Sequence, residues 1–195
     1  MTAPGRRLVY FVAVSLDGYI AGPGGEYDAF LTEGDHMDAV FGRFGDAVPT
    51  VAAQALGVEQ PGTTFDAVVM GWNTYAVGLP FGMTSPYSHL RQIVFSRSRQ
   101  AEGERLTVSA DDPLEVVRGL KAEEGADIWL CGGGTLAATL ADEIDRLVLK
   151  VNPVLFGSGI PLFSGGAFEP RRFELVESTP YRTGVTITEY ARRAR

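Results

Sequence analysis

A run of three glycines is the first feature of the sequence that could do chemistry. Gly132-Gly133-Gly134 follows an apolar segment ending at Cys131 and precedes a helix-like segment that begins with Thr135-Leu136. Without side chains the backbone can approach a phosphate closely, and free N–H groups at a helix start favour an anion. A plain tight turn explains the same glycines, so the run alone leaves both interpretations open. It is neither a P-loop nor the G-x-G-x-x-G fingerprint after a first strand.

Two further strand ends carry groups that suit an anion. Gly71-Trp72-Asn73-Thr74 follows an apolar run ending at Met70 and offers an amide and a hydroxyl beside the N–H groups of a helix start. Phe95-Ser96-Arg97-Ser98 ends another apolar run and places a guanidinium between two hydroxyls, which suits a phosphate. Taken alone, the Ser96-Arg97-Ser98 segment also fits an ordinary solvated loop. Three such sites at successive strand ends together indicate a ligand along one sheet edge.

Alternating strands and helices must position these turns. Continuous apolar runs predict buried strands over Leu8–Val14, Asp66–Met70, Gln92–Phe95, Asp127–Cys131 and Arg146–Val151. Helices are predicted over about Asp35–Phe44, after Gly71, from Asp111-Asp112-Pro113 to about Glu124, and over Thr135–Ala141. Alternating polarity over Arg172–Ser178 and Thr183–Tyr190 predicts an antiparallel hairpin at the sheet edge, whereas residues 45–64, 78–88 and 153–168 are expected to be irregular. The order predicts an α/β fold with a mostly parallel sheet covered on both faces.

Composition narrows the classes of function. The 195 residues fit one domain, and the net charge of −7 argues against a nucleic-acid or anionic-membrane partner. With Cys131 as the single cysteine, no internal disulfide forms, which suits a reducing compartment. The apolar run after Arg6-Arg7 is too short for a signal segment or a membrane span. We therefore expect a single cytoplasmic domain over residues 1–195, without a membrane partner or a metal site.

Five motifs together give the chain a family resemblance. Their order and spacing resemble the dihydrofolate reductase superfamily, and within it the RibD C-terminal (riboflavin-biosynthesis reductase) domain and its stand-alone bacterial relatives. The resemblance covers nearly the whole chain. It rests on Ala13-Val14-Ser15-Leu16-Asp17-Gly18-Tyr19-Ile20-Ala21, Val69-Met70-Gly71-Trp72-Asn73-Thr74-Tyr75, Ile93-Val94-Phe95-Ser96, Cys131-Gly132-Gly133-Gly134-Thr135-Leu136, and Pro153-Val154-Leu155-Phe156-Gly157-Ser158-Gly159-Ile160-Pro161-Leu162-Phe163.

The resemblance implies a dihydrofolate reductase-like three-layer sandwich, NADPH as hydride donor, a small heterocyclic substrate and a homodimer. In such proteins the turn matching Gly132 to Leu136 holds the pyrophosphate, and the segments matching Gly71 to Thr74 and Ser96 to Ser98 hold phosphates and the adenosine ribose. The segment matching Ala13-Val14 and the loop from Asp17 to Gly25 border the nicotinamide. The expected cofactor contacts are Ala13, Val14, Gly71, Trp72, Asn73, Thr74, Phe95, Ser96, Arg97, Ser98, Cys131, Gly132, Gly133, Gly134, Thr135 and Leu136.

The chain departs from the family pattern at two places, one that bears on the cofactor and one that bears on the substrate. Trp72 stands where many relatives have arginine, which leaves Arg97 as the candidate for the 2′-phosphate of the cofactor. Cys131 stands where riboflavin reductases carry an acidic residue that helps to hold the sugar chain of their substrate. These departures argue against the ordinary riboflavin step.

The candidate proton donor is a carboxylate in the stretch after the first loop. Asp28 is our choice, because the apolar segment Ala29-Phe30-Leu31 is expected to bury it. Glu33, Asp35 and Asp38 are alternatives, and each of the four also reads as an ordinary solvated carboxylate. An acid near the accepting nitrogen raises the rate of C=N reduction by about 10²–10⁴.

Other polar and aromatic residues have weaker signals. Asp17 and Tyr87 are assigned to substrate binding, although Asp17 also fits a simple turn and Tyr87 ordinary loop packing. His36 and His89 lack metal-ligand spacing and are expected at the surface. The sequence thus predicts an NADPH-dependent reductase of a pterin- or pyrimidine-like heterocycle, with a non-catalytic nucleotide-binding module or a flavin-binding module as the alternatives.

Overall fold

The described part of the chain folds into ten short strands and five α-helices. The computed structural model describes residues 5–193, so residues 1–4 and 194–195 of the expected domain lie outside the described part. The strands are β1 (Leu8–Val14), β2 (Tyr19–Ala21), β3 (Phe65–Gly71), β4 (Arg91–Phe95), β5 (Leu106–Ser109), β6 (Asp127–Gly132), β7 (Ile144–Val151), β8 (Ile160–Pro161), β9 (Phe173–Pro180) and β10 (Thr186–Arg192). The helices are α1 (Asp35–Phe44), α2 (Thr50–Leu56), α3 (Trp72–Ala76), α4 (Pro113–Ala122) and α5 (Gly134–Thr139).

One sheet contains eight of these strands, in the order β5-β4-β3-β6-β1-β7-β10-β9. The strands from β5 to β7 in that order are parallel. Strand β10 is antiparallel to both β7 and β9. The predicted mostly parallel sheet with an antiparallel C-terminal hairpin is therefore confirmed. Since parallel strands end at the same sheet edge, the carboxyl ends of β4, β3, β6, β1 and β7 lie side by side in that order.

Helices cover both faces of the sheet, as predicted for a three-layer sandwich. Successive side chains of a strand point to opposite faces, and β1 buries both sets. Leu8 and Tyr10 join a core that includes residues of α4 and α5, whereas Val9 and Phe11 join a second core that includes Val40 of α1. Between residues 5 and 193, no helix has the length and apolar character needed to cross a membrane.

Four elements were not predicted from the sequence: α2, β5 and the short strands β2 and β8, which pair with each other. Residues 45–64, expected to be irregular, contain α2, which ends at Gly57 in the left-handed conformation. Ala53 is the buried residue of this helix, so the sequence carries no apolar stripe for it. Strand β5 is a four-residue edge strand in which Ser109 is buried, and it lacks the apolar run that marks the other strands.

His36 is buried, so its expected place at the surface is wrong. Its Nδ1 lies 3.1 Å from the Thr183 hydroxyl and its Nε2 lies 3.2 Å from the Leu31 carbonyl oxygen. These contacts join the start of α1 to the turn before β10 and to the loop before the helix. Hydrogen bonds to both ring nitrogens allow a polar side chain to be buried there.

Two long loops pair with each other at the carboxyl edge of the sheet. We call residues 15–33 and 153–164 the paired loops. Their strands β2 and β8 are antiparallel, and the amide of Leu162 donates to the carbonyl of Gly18 at 2.9 Å. Gly159 has a φ of +158°, and a Cβ there would collide with the carbonyl oxygen of Ala21, so glycine lets the two backbones approach. The paired loops form one wall beside the end of β1.

Candidate active site

The three predicted anion-friendly turns are neighbours in the structure. Gly71 at the end of β3 is in register with Phe95 at the end of β4. On the other side, Met70 is in register with Gly132 at the end of β6. The sheet therefore brings all three turns to one edge, as the sequence predicted.

Four residues between the ends of β3 and β6 form what we call the glycine notch: Gly71, Gly132, Gly133 and Thr74. A Cβ built on Gly71 would lie 3.9 Å from the carbonyl oxygen of Gly132 and 3.9 Å from the amide nitrogen of Gly133. A Cβ on Gly133 would lie 3.5 Å from the Thr74 hydroxyl oxygen. Gly132 has a φ of +131°, and the Gly132–Gly133 peptide bond is cis. A Cβ at Gly71 or Gly133 would therefore meet no atom outside its neighbouring residues closer than 3.5 Å, so there is room for a small group next to the backbone at both positions.

Backbone N–H groups supply the polarity of the glycine notch. Helix α5 begins at Gly134, and the amide of Ala137 is the one that donates to the carbonyl of Gly133, at 3.0 Å. The amides before Ala137 therefore lack an acceptor within the helix. Helix α3 begins beside the same notch, with Gly71 at its N-cap and no capping side chain. These amides, with the Thr74 hydroxyl, present donors that fit a pyrophosphate.

Gly134 has a different role from the other two glycines of the turn. A Cβ at Gly134 would collide with the carbonyl oxygen of Pro161 and approach the Ser164 Cβ to 3.2 Å. The amide of Ser164 donates to the carbonyl of Gly134 at 3.0 Å. Glycine is therefore required here by protein packing, and it attaches the paired loops to the turn.

The end of β4 presents an unpaired guanidinium. The Ser96 hydroxyl oxygen accepts a hydrogen bond of 2.9 Å from the amide of Arg99, which folds the segment into a tight turn. Arg97 and Ser98 are exposed. Within residues 5–193, Arg97 makes no ion pair. It is therefore available to an anionic group at this end of the site.

Asp17 holds the paired loops together. Its carboxylate accepts hydrogen bonds from the Ser15 hydroxyl at 2.6 Å and from the amides of Phe156 and Gly157 at 3.1 and 2.7 Å. The Ser15 hydroxyl and these amides lower the pKa of Asp17 to about 2. Asp17 therefore does more than form a local turn. Its carboxylate oxygens face the second loop and connect the two loops.

Cys131 and Tyr87 pack against each other on the α1 face of the sheet. The Tyr87 hydroxyl lies 4.0 Å from the Cys131 sulfur, and its ring meets Trp129 edge-on with centroids 4.8 Å apart. Burial raises the pKa of the Cys131 thiol to about 12 and raises the pKa of Tyr87. Both groups are therefore neutral at physiological pH, and the thiol packs against the Tyr87 hydroxyl.

The burial expected for Asp28 is wrong. Asp28 and Ala29 are exposed, whereas Phe30 turns inward and stacks on Phe156 with centroids 5.0 Å apart. The Phe30 side chain thus packs on Phe156 and, contrary to expectation, does not cover the Asp28 carboxylate. The apolar neighbours follow Asp28 in sequence but do not cover it, so its carboxylate faces solvent.

The other acidic candidates are no better placed. Glu33 and Asp38 are exposed. Asp35 accepts a hydrogen bond of 2.9 Å from the amide of Arg182, and this bond lowers the pKa of Asp35 below its usual range. Asp35 therefore stays ionised and holds the turn before β10.

Lys150 is a polar residue of this region that the sequence analysis missed. It is in register with Ala13 at the ends of β7 and β1. Its ammonium donates to the Leu31 carbonyl at 2.9 Å and lies 4.0 Å from the Met37 sulfur. No carboxylate of residues 5–193 forms an ion pair with it, and burial lowers its pKa. A signal existed, because the chain has two lysines, and Lys150 interrupts an otherwise apolar strand end.

Asn152 fixes the loop that lies over Lys150. Its side chain is fully buried; its Oδ1 accepts from the amide of Leu31 at 3.0 Å and its Nδ2 donates to the carbonyl of Lys150 at 3.0 Å. The Leu31 amide and carbonyl are therefore both bound to the end of β7. This connection sets the distance between the first loop and the sheet.

An open depression of about 890 Å³ lies at the opposite edge of the sheet, where β7 begins. Three of its lining side chains, Arg7, Arg146 and Arg192, are already bound to Asp127, Glu189 and backbone carbonyls, respectively. These contacts satisfy the charges of the depression internally. The carboxyl edge is therefore the better candidate site.

Comparison with known proteins places these features in a family. Residues 6–187 match the family model of the RibD C-terminal domain. The Bacillus subtilis (strain 168) protein YwjB, which is uncharacterized, is 32% identical over 164 residues, or 81% of this chain and 83% of YwjB.

Two solved structures share the fold. A diaminohydroxyphosphoribosylaminopyrimidine deaminase/5-amino-6-(5-phosphoribosylamino)uracil reductase from Thermotoga maritima has a TM-score of 0.64 at 16% identity, covering 97% of this chain and 57% of that protein. Dihydrofolate reductase from Enterococcus faecalis, in complex with NADP(H), has a TM-score of 0.58 at 19% identity, covering 96% of this chain and 97% of that enzyme. At these identities the two structures establish a dihydrofolate reductase-like fold.

Proposed function

The chain belongs to the RibD C-terminal domain family, and from this membership we propose that it is a reductase that uses NADPH to reduce a small pterin- or pyrimidine-like heterocycle. Related proteins of the same fold include reductases, one of them in complex with NADP(H). The cofactor and the substrate class are the parts of the proposal that experiment must test.

The glycine notch is the observation that carries the proposal. A Cβ at Gly71 or Gly133 would meet no atom outside its neighbouring residues closer than 3.5 Å, and two helix starts with unbound amides adjoin these glycines. Backbone donors without side chains fit a pyrophosphate, which is bulky and doubly charged. The exposed Thr135 and the half-buried Thr74 add hydroxyls on either side.

The order of groups along the sheet edge matches the order of groups in NADPH. Arg97 at the end of β4 suits the 2′-phosphate of the adenosine, the glycine notch between β3 and β6 suits the pyrophosphate, and Ala13 near the end of β1 suits the nicotinamide. Neighbouring strands lie about 4.8 Å apart, so roughly 14 Å separates β4 from β1. An extended dinucleotide can span these sites in one direction.

When bound, NADPH would supply the hydride, and the chain's own residues would position the reaction and exclude water. The paired loops would close one side of the nicotinamide site. Asp17 and the stacked rings of Phe30 and Phe156 hold these loops in place. On the α1 face Tyr87 packs edge-on against the buried Trp129. The heterocycle would lie between this face and the paired loops.

The experiment that tests the proposal separates binding from turnover. Calorimetric titration with NADPH and with NADH should show saturable binding with NADPH preferred. Loss of NADPH absorbance should then accompany addition of a dihydropterin or a substituted uracil. Absence of NADPH binding would refute the proposal at its first step.

A second candidate function is a nucleotide-binding module without catalysis. It is favoured by the exposure of Asp28 and by Cys131, which stands where an acidic residue is expected to hold the substrate. This candidate predicts NADPH binding without oxidation of NADPH by any heterocycle tested. Turnover with one substrate would exclude it.

A further inference from the structure

Within residues 5–193, one ammonium group at the substrate side of the proposed site forms no ion pair. The Lys150 Nζ is bound to the Leu31 carbonyl at 2.9 Å and touches the Met37 sulfur at 4.0 Å. An ammonium has three N–H donors, so one or two of them remain for another acceptor. The second lysine differs, because Lys121 pairs with Asp145 at 2.7 Å and also donates to the Glu143 carbonyl.

The position of Lys150 relates it to the reacting atoms. It is in register with Ala13, which the proposed function places beside the nicotinamide. Its contacts to Leu31 and Met37 put the ammonium on the same face as α1, where the proposed heterocycle would lie. We propose that Lys150 is the proton donor of the reduction and that it selects a substrate presenting an acceptor, a ring carbonyl oxygen or an unprotonated imine nitrogen, beside the carbon that is reduced.

This inference rests on the proposed function, and the step balances as follows. The substrate carbon gains a hydride from the reduced nicotinamide, which is thereby oxidised, and the π electrons of the C=N bond move to nitrogen. The nitrogen takes a proton from the Lys150 ammonium. The neutral amine that remains regains a proton from water, so the residue is restored after each turnover.

Two properties of the lysine support this role. Burial lowers its pKa, which makes the ammonium a better acid. The groups that touch it, the Leu31 carbonyl and the Met37 sulfur, are uncharged, and so are its register neighbours Ala13 and Ile187. An arginine here would keep its proton at any accessible pH.

The same chemistry narrows the substrate. An ammonium only donates hydrogen bonds, so it rejects a ring that presents amino groups to it and accepts one that presents oxygen or a lone-pair nitrogen. Oxo-pyrimidines and oxo-pteridines have this character on their carbonyl edge. Diamino-substituted rings present donors at the same place and are expected to bind more weakly.

The first test measures where Lys150 lies relative to the cofactor, without turnover. Isotope-labelled lysine gives NMR signals from only two side chains, Lys121 and Lys150, because the chain contains no others. NADP⁺ carries a positive ring, so its binding should lower the pKa of a nearby Lys150 and leave that of Lys121 unchanged. If calorimetry shows NADP⁺ binding but the Lys150 titration does not move, the inference is overturned. If NADP⁺ does not bind, the proposed function itself fails, and the inference fails with it.

The second test separates proton donation from a structural role. Lys150→Met should bind NADPH within about threefold of the wild type but reduce an oxo-heterocycle at least about a hundredfold more slowly. Lys150→Arg keeps a charged donor that can reach the Leu31 carbonyl, so a structural role predicts normal turnover. We expect instead a loss of about tenfold or more, because the guanidinium does not give up its proton. Wild-type turnover by Lys150→Arg overturns the inference, and its thermal melt shows whether it has folded.

Discussion

The two halves of the proposed site differ in their chemical groups: one consists mainly of backbone groups and the other of side chains. The cofactor half, around the glycine notch, consists of backbone amides, glycines and one hydroxyl at the ends of β3 and β6. The substrate half, around β1, β7 and α1, consists of side chains such as Lys150 and Asn152 whose positions depend on the first loop. The first half therefore takes its donors mainly from the backbone, whereas the second half takes them from side chains.

This difference indicates how such a fold changes its substrate while keeping its cofactor. Backbone donors at a strand end survive most substitutions, because glycines and helix starts fix them. Side-chain groups on the α1 face change with single substitutions, as Cys131 in the place of an acidic residue illustrates. The predictions below test whether the two halves are as separable as this comparison implies.

Filling the glycine notch should give the largest effect. Gly71 has a φ of −77° and a ψ of 160°, which valine adopts readily. Gly71→Val should therefore fold normally but weaken NADPH binding by about a hundredfold or more, or about 2.7 kcal/mol. Calorimetric titration measures the affinity, with Gly119→Ala in α4 as a control that should bind normally. Normal affinity in Gly71→Val would mean that the notch does not hold the cofactor.

Crowding the neighbouring glycine should affect stability instead. Gly134→Ala brings a methyl group against the Pro161 carbonyl, and overpacking of this kind typically costs about 1–3 kcal/mol. The matched change Gly119→Ala meets no atom within 4 Å in a helix interior and should raise the free energy of unfolding by about 1 kcal/mol. Denaturant titrations compare the two. Equal effects of the same sign would show that the paired loops do not press on the turn.

Removing one guanidinium should separate the two nicotinamide cofactors. Arg97→Ala should weaken NADPH binding about tenfold, equal to about 1.4 kcal/mol, and leave NADH binding unchanged, because only NADPH carries the 2′-phosphate. Arg99, two residues away and also exposed, provides the matched control Arg99→Ala. A larger effect of Arg99→Ala on NADPH would move the phosphate site along the loop.

The smallest effect is expected at the connection between the paired loops. Asp17 has its pKa lowered to about 2, so its contribution is fully present above its ordinary pKa, about 3.9, and is lost as the pH falls through about 2. Between about pH 4 and pH 8 the amides of Phe156 and Gly157 should therefore exchange slowly with solvent. In Asp17→Asn they should exchange several-fold faster, as hydrogen exchange with mass spectrometry can measure. Unchanged exchange in this variant would argue that the loops hold each other without the carboxylate.

The sequence correctly predicted that the three strand-end turns meet at one edge of the sheet, because the features of these turns are local. A strand followed by glycines and a helix start, as at Met70-Gly71 or Cys131-Gly132, is visible in consecutive residues. The sheet then brings neighbouring strand ends together by its parallel order, which the alternation of strands and helices also reveals.

The substrate half was predicted poorly, because its contacts are not local. Asp28 was expected to be buried by the apolar residues next to it, but Phe30 turned towards Phe156 and left Asp28 exposed. His36 has no neighbours in sequence that require burial, and the Thr183 hydroxyl that supports it lies 147 residues away. In the sequence Lys150 is a single charge at a strand end, and its contact with the first loop through the Leu31 carbonyl could not be predicted from it.

The hydrogen bonds of the paired loops also have a consequence for the order in which the chain can fold. Asp17 binds an amide 140 residues later, and Leu31 binds a side chain 121 residues later. During synthesis the first loop therefore emerges long before its partners exist, and it has no native contacts to make with them until residues near 160 have left the ribosome. Since contacts between distant residues form slowly, we expect the substrate pocket to be the last part of the molecule to be completed, after the strands on which it rests.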